Sequence, residues 1–511
     1  MRRVRPVLLS LVLLAGMSPD AKSAETTQPR QITLRECVET ALRNNIDIAV
    51  AKAEKTIGEQ GVPIEKAAFL PRFTGEVSTS RSITPSDTTL TGTLAVDQRL
   101  LTFNAGVSDL LPTGTTLSLD YKSQRQELSS AIAAFTPEYT TALTLSARQP
   151  LLKNRGRQVT EAPLSIARAG AAAKTEEWKA KVMDIVATVR TAYLSFYAAH
   201  REVEVRRTAV ELAGRLLQQV NARIEAGAAA PLDRLPAEAA AAARREELIR
   251  AETAEQDAAD DLKNVLGVRT SREWEERLVP GAMPGEIPPP GPDETFEEAL
   301  RRRPEVAAQA ARRSQADLQE AVAKNRATPA LDLTASGGLS GLAGTPNPNP
   351  LFPTTSKAFE GNYATSLDQM FSGRYYNFFV GLKTEIPWRL DREKAEWARA
   401  RAATEEQRLL SEELASRIRL EIHKSRRDLE SALARIAASR VSVAAAGKKL
   451  EAEEEKLALG RSTVPQVLTF QQDLAEARLA EIRAQADAHA ARTRLERAAG
   501  TILDNEGIAI R

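Results

Sequence analysis

Residues 422–457 read IHKSRRDLESALARIAASRVSVAAAGKKLEAEEEKL, with an apolar side chain at every seventh position. The same ladder occurs earlier, at residues 182–224. Its positions are Ile422, Leu429, Ile436, Val443, Leu450 and Leu457 in one copy, and Val182, Val189, Phe196, Val203, Val210, Leu217 and Ile224 in the other. A seven-residue step holds one narrow seam against a neighbouring helix. The sequence therefore predicts coiled-coil helices at about 161–226 and 393–459, each roughly 100 Å long.

A glycine ends each predicted long helix, and a shorter helix follows it. Gly227 precedes a helix at about 232–266, and Gly460 precedes one at about 465–499. Glycine readily adopts the left-handed conformation that stops a helix. Both positions therefore predict helical hairpins.

Segments with strand chemistry lie before each long helix, at 72–149 and 330–387. Residues 140–146 read TTALTLS, in which hydroxyl and apolar side chains alternate with the two-residue period of a sheet whose faces differ. These segments adjoin only one end of each long helix. We therefore expect all strands at one end of a helical cylinder and both glycine hairpins at the other.

The second half of the chain repeats the first. Ala-Leu-Arg occurs at 41–43 and at 299–301, and each copy precedes a proline at the same interval, Pro71 and Pro329. The predicted fold is α+β and mainly α, with long coiled-coil helices and two internal structural repeats. In chain order we predict a signal peptide at 1–24, a first repeat at 25–267 that begins with a helix at 33–69, a Pro/Gly-rich linker at 268–294, a second repeat at 295–500 that begins with a helix from 295, and a tail at 501–511.

The N-terminus and the charge pattern limit where the protein can be located and what it can bind. Arg2, Arg3 and Arg5 precede an apolar run at 7–17 and small residues near Ala24, the pattern of an export signal. No later stretch approaches 18 apolar residues, so a barrel is the expected way into a bilayer. The net charge is +2, and basic residues are interleaved with acidic ones, so we expect no nucleic-acid partner.

The sequence contains no pattern typical of catalysis. Cys37 is the one cysteine, which excludes an internal disulfide. His200, His423 and His489 stand singly, without the paired spacing that a metal site needs. We expect no catalytic, cofactor-binding or metal site, and no enzyme.

These residues resemble the TolC-like outer membrane efflux protein family over nearly the whole mature chain. The motifs that carry the resemblance are Ala41-Leu42-Arg43-Asn44-Asn45, Phe69-Leu70-Pro71, Gln149-Pro150-Leu151-Leu152, Ile386-Pro387-Trp388, and the Gly227 and Gly460 hairpins with Asp233 after the first. The resemblance implies a homotrimer in contact with outer-membrane lipid. Its strands would jointly close one transmembrane β-barrel, assembled from several protomers, and its helices would form an α-helical barrel through the periplasm.

Strand number argues independently for joint closure. A water-filled barrel needs well over eight strands, more than one chain of this kind supplies. The family's usual number is four strands per protomer, and the additional strand-like segments at 101–121 depart from it.

The resemblance also implies sites at the periplasmic tip. Asp233 falls on a position that links neighbouring hairpins, and Arg461 is the nearest cation on the other hairpin. A role for Asp233 as a helix N-cap is the alternative. Gln466 and Thr469 stand where the family commonly has acidic pore residues. The positions that meet a periplasmic adaptor protein are Gly227, Ala228, Gly460 and Arg461.

Aromatic residues cluster near the last predicted strand. We expect a girdle at the membrane interface made by Tyr375, Tyr376, Phe378, Phe379 and Trp388. The alternative is apolar filling within extracellular loops. The function implied is a passive outer-membrane exit duct of a tripartite efflux or type I secretion system, gated at its helical tip and served by an adaptor and an inner-membrane pump. The alternative, a periplasmic adaptor or spacer, has no need for two sets of strands.

Overall fold

The computed structural model describes residues 30–228, 230–283, 285–292, 294–352, 357–386 and 388–508. The predicted signal peptide at 1–24 lies outside these residues. The elements of the first half are β1 Arg30–Ile32, α1 Leu34–Asn44, α2 Ile46–Lys66, β2 Arg72–Pro85, β3 Ala95–Leu110, β4 Thr116–Leu128, β5 Phe135–Pro150, α3 Arg157–Thr160, α4 Ala162–Glu225 and α5 Arg234–Leu266. Those that follow are α6 Ser271–Glu275, β6 Leu278–Pro280, α7 Phe296–Arg302, α8 Pro304–Arg326, β7 Ala330–Pro346, α9 Tyr363–Phe371, β8 Tyr376–Glu385, α10 Asp391–Ala458, α11 Val464–Ala499 and α12 Ile502–Asn505. Among the described residues, no helix has the length and hydropathy needed to cross a membrane.

The long helices α4 and α10 form the frame of the molecule, and the predicted class, mainly α with a sheet, is confirmed. α4 packs against α5, α10 packs against α11, and α11 also contacts α4. In α10 the seven-residue seam is buried or half-buried from Ile422 to Leu457. In α4 it is fully buried only as far as Val203, after which the buried positions include Ala209 and Leu216. A straight helix drifts about 20° per seven residues against this repeat, which explains the shift.

Each half begins with two helices, where the sequence predicted one. Asn45 separates α1 from α2 with an extended backbone, φ −64° and ψ 127°. Its side-chain oxygen accepts the backbone N–H groups of Asp47 and Ile48, which caps α2. Arg303 makes the same bend between α7 and α8, with φ −74° and ψ 121°, because Pro304 disfavours a helical conformation at the preceding residue. The prediction of one continuous helix is therefore wrong in both halves.

The segment predicted as a Pro/Gly-rich linker at 268–294 is partly folded. Thr270 and Glu273 form a capping box that begins α6. β6 then pairs in parallel with β1, and Leu278 is buried beside Ile32 in the main core. In the predicted tail, Ile502 of α12 is also fully buried in that core. The prediction is therefore wrong for the part of the linker that forms α6 and β6.

All the long strands form one antiparallel sheet in the order β2-β3-β4-β5-β7-β8. The pairing of β5 with β7 joins the two halves of the chain, and Thr141 lies opposite Gly341 in that pair. β7 continues to Pro346 and so extends into the Pro-rich segment at 344–350. Proline is tolerated there because it is the last residue of the strand. β2 and β8 are the edge strands and have no partner on their outer sides within the described chain.

Candidate functional site

The sheet has one apolar and one polar face, because side chains alternate along every strand. We call the first the apolar face; its members include Phe73, Val77, Leu101, Phe103, Val107, Leu117, Leu119, Leu143, Leu145, Leu333, Leu339, Phe378, Val380 and Leu382. We call the second the polar face; its members include Thr74, Glu76, Ser78, Thr102, Asn104, Ser118, Asp120, Lys122, Thr140, Thr144, Ser146, Thr334, Ser336, Asn377 and Lys383. An apolar outer face and a polar inner face are what a membrane pore wall requires.

The predicted aromatic girdle is divided by the strand register. Tyr376 and Phe378 lie on the apolar face and are largely exposed. Phe379 lies on the polar face, so this register does not fit its place in a lipid-facing girdle. Tyr375 precedes β8 and packs on Phe359, with ring centroids 5.9 Å apart, which agrees with the loop-filling alternative.

Trp388, the last residue of the predicted girdle, stands apart from the sheet. It follows the end of β8 and is 99% exposed. The described residues of this chain leave the indole unpacked. Its exposure is compatible with a membrane interface.

Two identical turns form the far ends of the helical hairpins. Gly227 and Gly460 both have φ +69°. The N–H of the next residue, Ala228 or Arg461, donates to a carbonyl five residues earlier at 2.7 and 2.8 Å. These bonds define Schellman motifs. A β-carbon on either glycine would meet nothing within 4 Å, so the left-handed backbone is the reason for glycine at both positions.

The predicted gate residues are exposed and are not joined within one chain. The Asp233 carboxylate accepts the N–H of Ala230 at 3.2 Å, so it closes the loop before α5 and does not cap the first turn of that helix. No ion pair joins Asp233 to Arg461 among the described residues. Gln466 and Thr469 face solvent on α11, and the Thr469 hydroxyl donates to a carbonyl of its own helix.

Comparison with known proteins places this architecture in a family. Residues 93–268 and 295–501 match the sequence model of the family described as "Outer membrane efflux protein". The chain belongs to this family. No curated protein matches the chain in sequence.

Solved structures with the same fold include three outer-membrane proteins. The CmeC outer membrane channel of Campylobacter jejuni is similar at TM-score 0.66 and 14% identity, over 92% of this chain and 85% of that chain. VceC of Vibrio cholerae is similar at TM-score 0.64 and 18% identity, over 91% and 96%. The MtrE outer membrane channel of Neisseria gonorrhoeae is similar at TM-score 0.62 and 18% identity, over 96% and 98%.

The family fixes the role and the place of this efflux protein. It is an outer-membrane channel component with its helical part in the periplasm, and it is not an enzyme. The alternative of a periplasmic adaptor or spacer is thereby set aside. The family that the sequence resembled is thus confirmed.

The efflux protein also has tip contacts that the sequence did not indicate. The Arg223 guanidinium donates to the carbonyl oxygen of Leu457 at 3.0 Å and so joins the end of α4 to the last turn of α10. A second link joins Arg244 of α5 to Gln472 of α11 at 3.1 Å. Arginines occur throughout these helices, so no local pattern distinguishes Arg223 and Arg244 from the rest.

Charged residues line a cavity of about 960 Å³ between the two helical pairs of the efflux protein. Arg497 Nη2 lies 2.6 Å from Asp184 Oδ1 and 2.7 Å from Glu305 Oε1. Burial alone would raise the pKa of Glu305, but the hydrogen bond from Arg303 and the nearby guanidinium charges lower it on balance. The cavity is therefore held by ion pairs between the halves.

The three histidines lie where no metal site is formed. His200 Nδ1 lies 2.6 Å from Glu255 Oε1, and His423 is exposed. Burial lowers the pKa of His489 and favours its neutral form. Among the described residues, no cluster of His, Cys, Asp and Glu has the geometry of a metal site.

Proposed function

We propose that three copies of the chain close one channel, which serves as the exit duct of a tripartite efflux or type I secretion system. The observation that carries this is the six-stranded sheet with unpaired edges and unlike faces. Six strands are too few to enclose a water-filled bore. Because the strand number is even and all neighbours are antiparallel, β8 of one copy meets β2 of the next in an antiparallel sense.

Apolar residues on the helices support the same assembly. On α2, four large apolar residues at heptad-compatible spacing are exposed: Ile46, Val50, Ile57 and Ile64. A coiled-coil seam of this kind needs a partner helix. On α10, Leu409, Leu420 and Val441 are likewise exposed and offer such a partner on a neighbouring copy.

The hairpin tips fit docking on a periplasmic adaptor, which joins the duct to an inner-membrane pump. Gly227, Ala228, Gly460 and Arg461 are the turn residues that an adaptor would meet. The nearby Leu232, Leu235 and Leu459 are exposed, which provides apolar contact area. In the proposed gate, Asp233 of one copy pairs with a cation on the neighbouring copy and holds the tip closed.

The assembly and its conductance test this proposal together. The purified protein should have the mass of three chains by native mass spectrometry and should form conducting channels in a planar bilayer. It should also fractionate with the outer membrane. A monomeric particle without conductance would contradict the proposal.

A further inference from the structure

The hairpin of β3 and β4 is a full part of the sheet. β3 pairs with β2 from Ser108 to Ala95, along the whole of β2. It also pairs with β4 from Gln98 to Leu110. Its side chains follow the same alternation as the rest, with Phe103 on the apolar face and Asn104 on the polar face. The hairpin therefore has the composition of pore wall and not of a loop laid over the sheet.

We infer that this hairpin widens the outer-membrane end of the channel to an eighteen-stranded barrel. The inference rests on the proposed trimer, since each of three copies contributes six strands. A trimer of the usual family type, with four strands per protomer, would close at twelve. Barrel diameter grows roughly linearly with strand number, so the bore is about 1.5 times wider than a twelve-stranded one.

Helix α9 packs on the sheet and leaves the bore open. α9 contacts β7 and β5 on the apolar face, where Ser366 and Met370 are fully buried. The Thr141 and Ser366 hydroxyl oxygens lie 2.9 Å apart, and a β-carbon at Gly341 would lie 1.9 Å from the Ser366 carbonyl oxygen. Since lipid meets the apolar face, α9 lies outside the bore.

The polar face indicates what this wide exit accepts. Its uncharged members are mainly serine, threonine, asparagine and glutamine. Its charged members are nearly balanced: Arg72, Lys122, Arg148 and Lys383 against Glu76, Asp120, Glu138, Asp332 and Glu385. Arg148 and Asp332 are moreover paired at 2.6 Å. The exit therefore accepts bulky hydrophilic cargo of either charge, and selection by size falls to the helical tunnel.

An excision variant tests the inference. Removal of residues 88–130 joins β2 to β5 through a short loop, and these strands are already antiparallel, so four strands per chain remain. A matched control removes only residues 89–93, in the loop between β2 and β3, and keeps six strands. Electron microscopy in lipid nanodiscs should show a wild-type outer end about 1.5 times wider than that of the excision variant.

Polymer exclusion in planar bilayers gives a second measure of the width of the outer opening. Polyethylene glycols of graded mass, added on the outer side, should enter wild type and the loop control up to a larger size than they enter the excision variant. If the excision variant does not fold, the strand number in the wild-type image decides alone. A trimer with a twelve-stranded wall overturns the inference and leaves the proposed function standing, whereas a particle that is not a trimer overturns both.

Discussion

Gly267 lies against the backbone of Asn44 so closely that a β-carbon at residue 267 would be 2.5 Å from the Asn44 carbonyl oxygen. Gly267 ends α5 with φ +75°, and Asn44 ends α1. The second repeat has the same contact, where Gly500 faces Arg302 with a β-carbon distance of 3.0 Å. The C-terminal end of α5 thus packs on the bend between α1 and α2, and the C-terminal end of α11 packs on the bend between α7 and α8.

Replacement of Gly267 by alanine should destabilise the protein more than the same change at Gly227. Both glycines have left-handed backbones, which costs an alanine about 1 kcal/mol. At Gly267 the clash with Asn44 adds roughly 1–3 kcal/mol, whereas at Gly227 there is open space. Thermal denaturation followed by circular dichroism should give a lower melting temperature for Gly267→Ala than for Gly227→Ala. An equal fall of the melting temperature in both variants would contradict the close contact.

Replacement of Asp233 by alanine should raise the conductance of the closed channel. An exposed ion pair is worth about 0.2–1 kcal/mol, so loss in three copies raises the open population roughly 3-fold to 150-fold. Single-channel recording measures this. Asp233→Asn, which retains an acceptor for the Ala230 N–H, should behave like Asp233→Ala. An effect of alanine alone would assign Asp233 to loop closure and remove it from the gate.

Replacement of Arg190 by methionine should destabilise the fold by about 1.5–3 kcal/mol, because it removes one of the two guanidinium groups that pair with the buried Glu496 carboxylate, the other being that of Arg492. Arg190 Nη1 lies 2.5 Å from Glu496 Oε2, and their side chains are 12% and 7% exposed. The matched control is Arg215→Met, whose partner Glu211 is exposed and whose loss should cost at most about 0.5 kcal/mol. Denaturation by guanidinium distinguishes the two, and similar midpoints would show that the buried pair contributes little.

Replacement of Gly341 by alanine should displace α9 from the sheet. Its new β-carbon would collide with the Ser366 carbonyl, while Gly337, on the same face of the same strand, has no atom within 4 Å. An overpacking cost of about 1–3 kcal/mol corresponds to a rise of roughly 5-fold to 150-fold in the open population of α9. Limited proteolysis between β7 and β8 should therefore be faster in Gly341→Ala and unchanged in Gly337→Ala.

Alkaline pH should weaken the main core through Cys37 and Tyr193. Burial raises the pKa of the Cys37 thiol to about 12, and burial, followed by the charge of Cys37, raises the pKa of Tyr193 to about 12. Both pKa values lie above those of the unfolded chain, about 8.5 for cysteine and about 10 for tyrosine. The contribution of the two neutral side chains to the free energy of unfolding is thus complete below about pH 8.5. It is lost as the pH rises towards 12. The melting temperature should fall over this range, and less steeply in Cys37→Ala.

The sequence predicted the features that depend on hydrophobic periodicity and on residues that end helices. The seam from Ile422 to Leu457 and the turns at Gly227 and Gly460 were visible because each depends on local residue spacing. The bend at Arg303 was also visible in principle, since Pro304 follows it directly. Its counterpart at Asn45 depends on one side-chain cap and carries a weaker signal.

Features that depend on register or on distant contacts could not be predicted. Phe379 follows Phe378 in an aromatic run, and only the pairing of β7 with β8 places them on opposite faces. The link from Arg223 to Leu457 joins residues of two hairpins that are far apart in the chain, so no local pattern indicates it. The number of strands was left open because the strand-like segments at 101–121 depart from the family's usual four strands per protomer.

The equal geometry of the turns at Gly227 and Gly460 has a consequence for symmetry. In a ring of three copies, the two hairpins of each chain alternate around the axis, so six turns of one backbone shape stand at near-equal intervals with two sets of side chains. The end of the tube is then threefold in chemistry and close to sixfold in shape. A docking protein that contacts only the backbone of the turns would bind in six copies. One that contacts the side chains specific to one hairpin would bind in three.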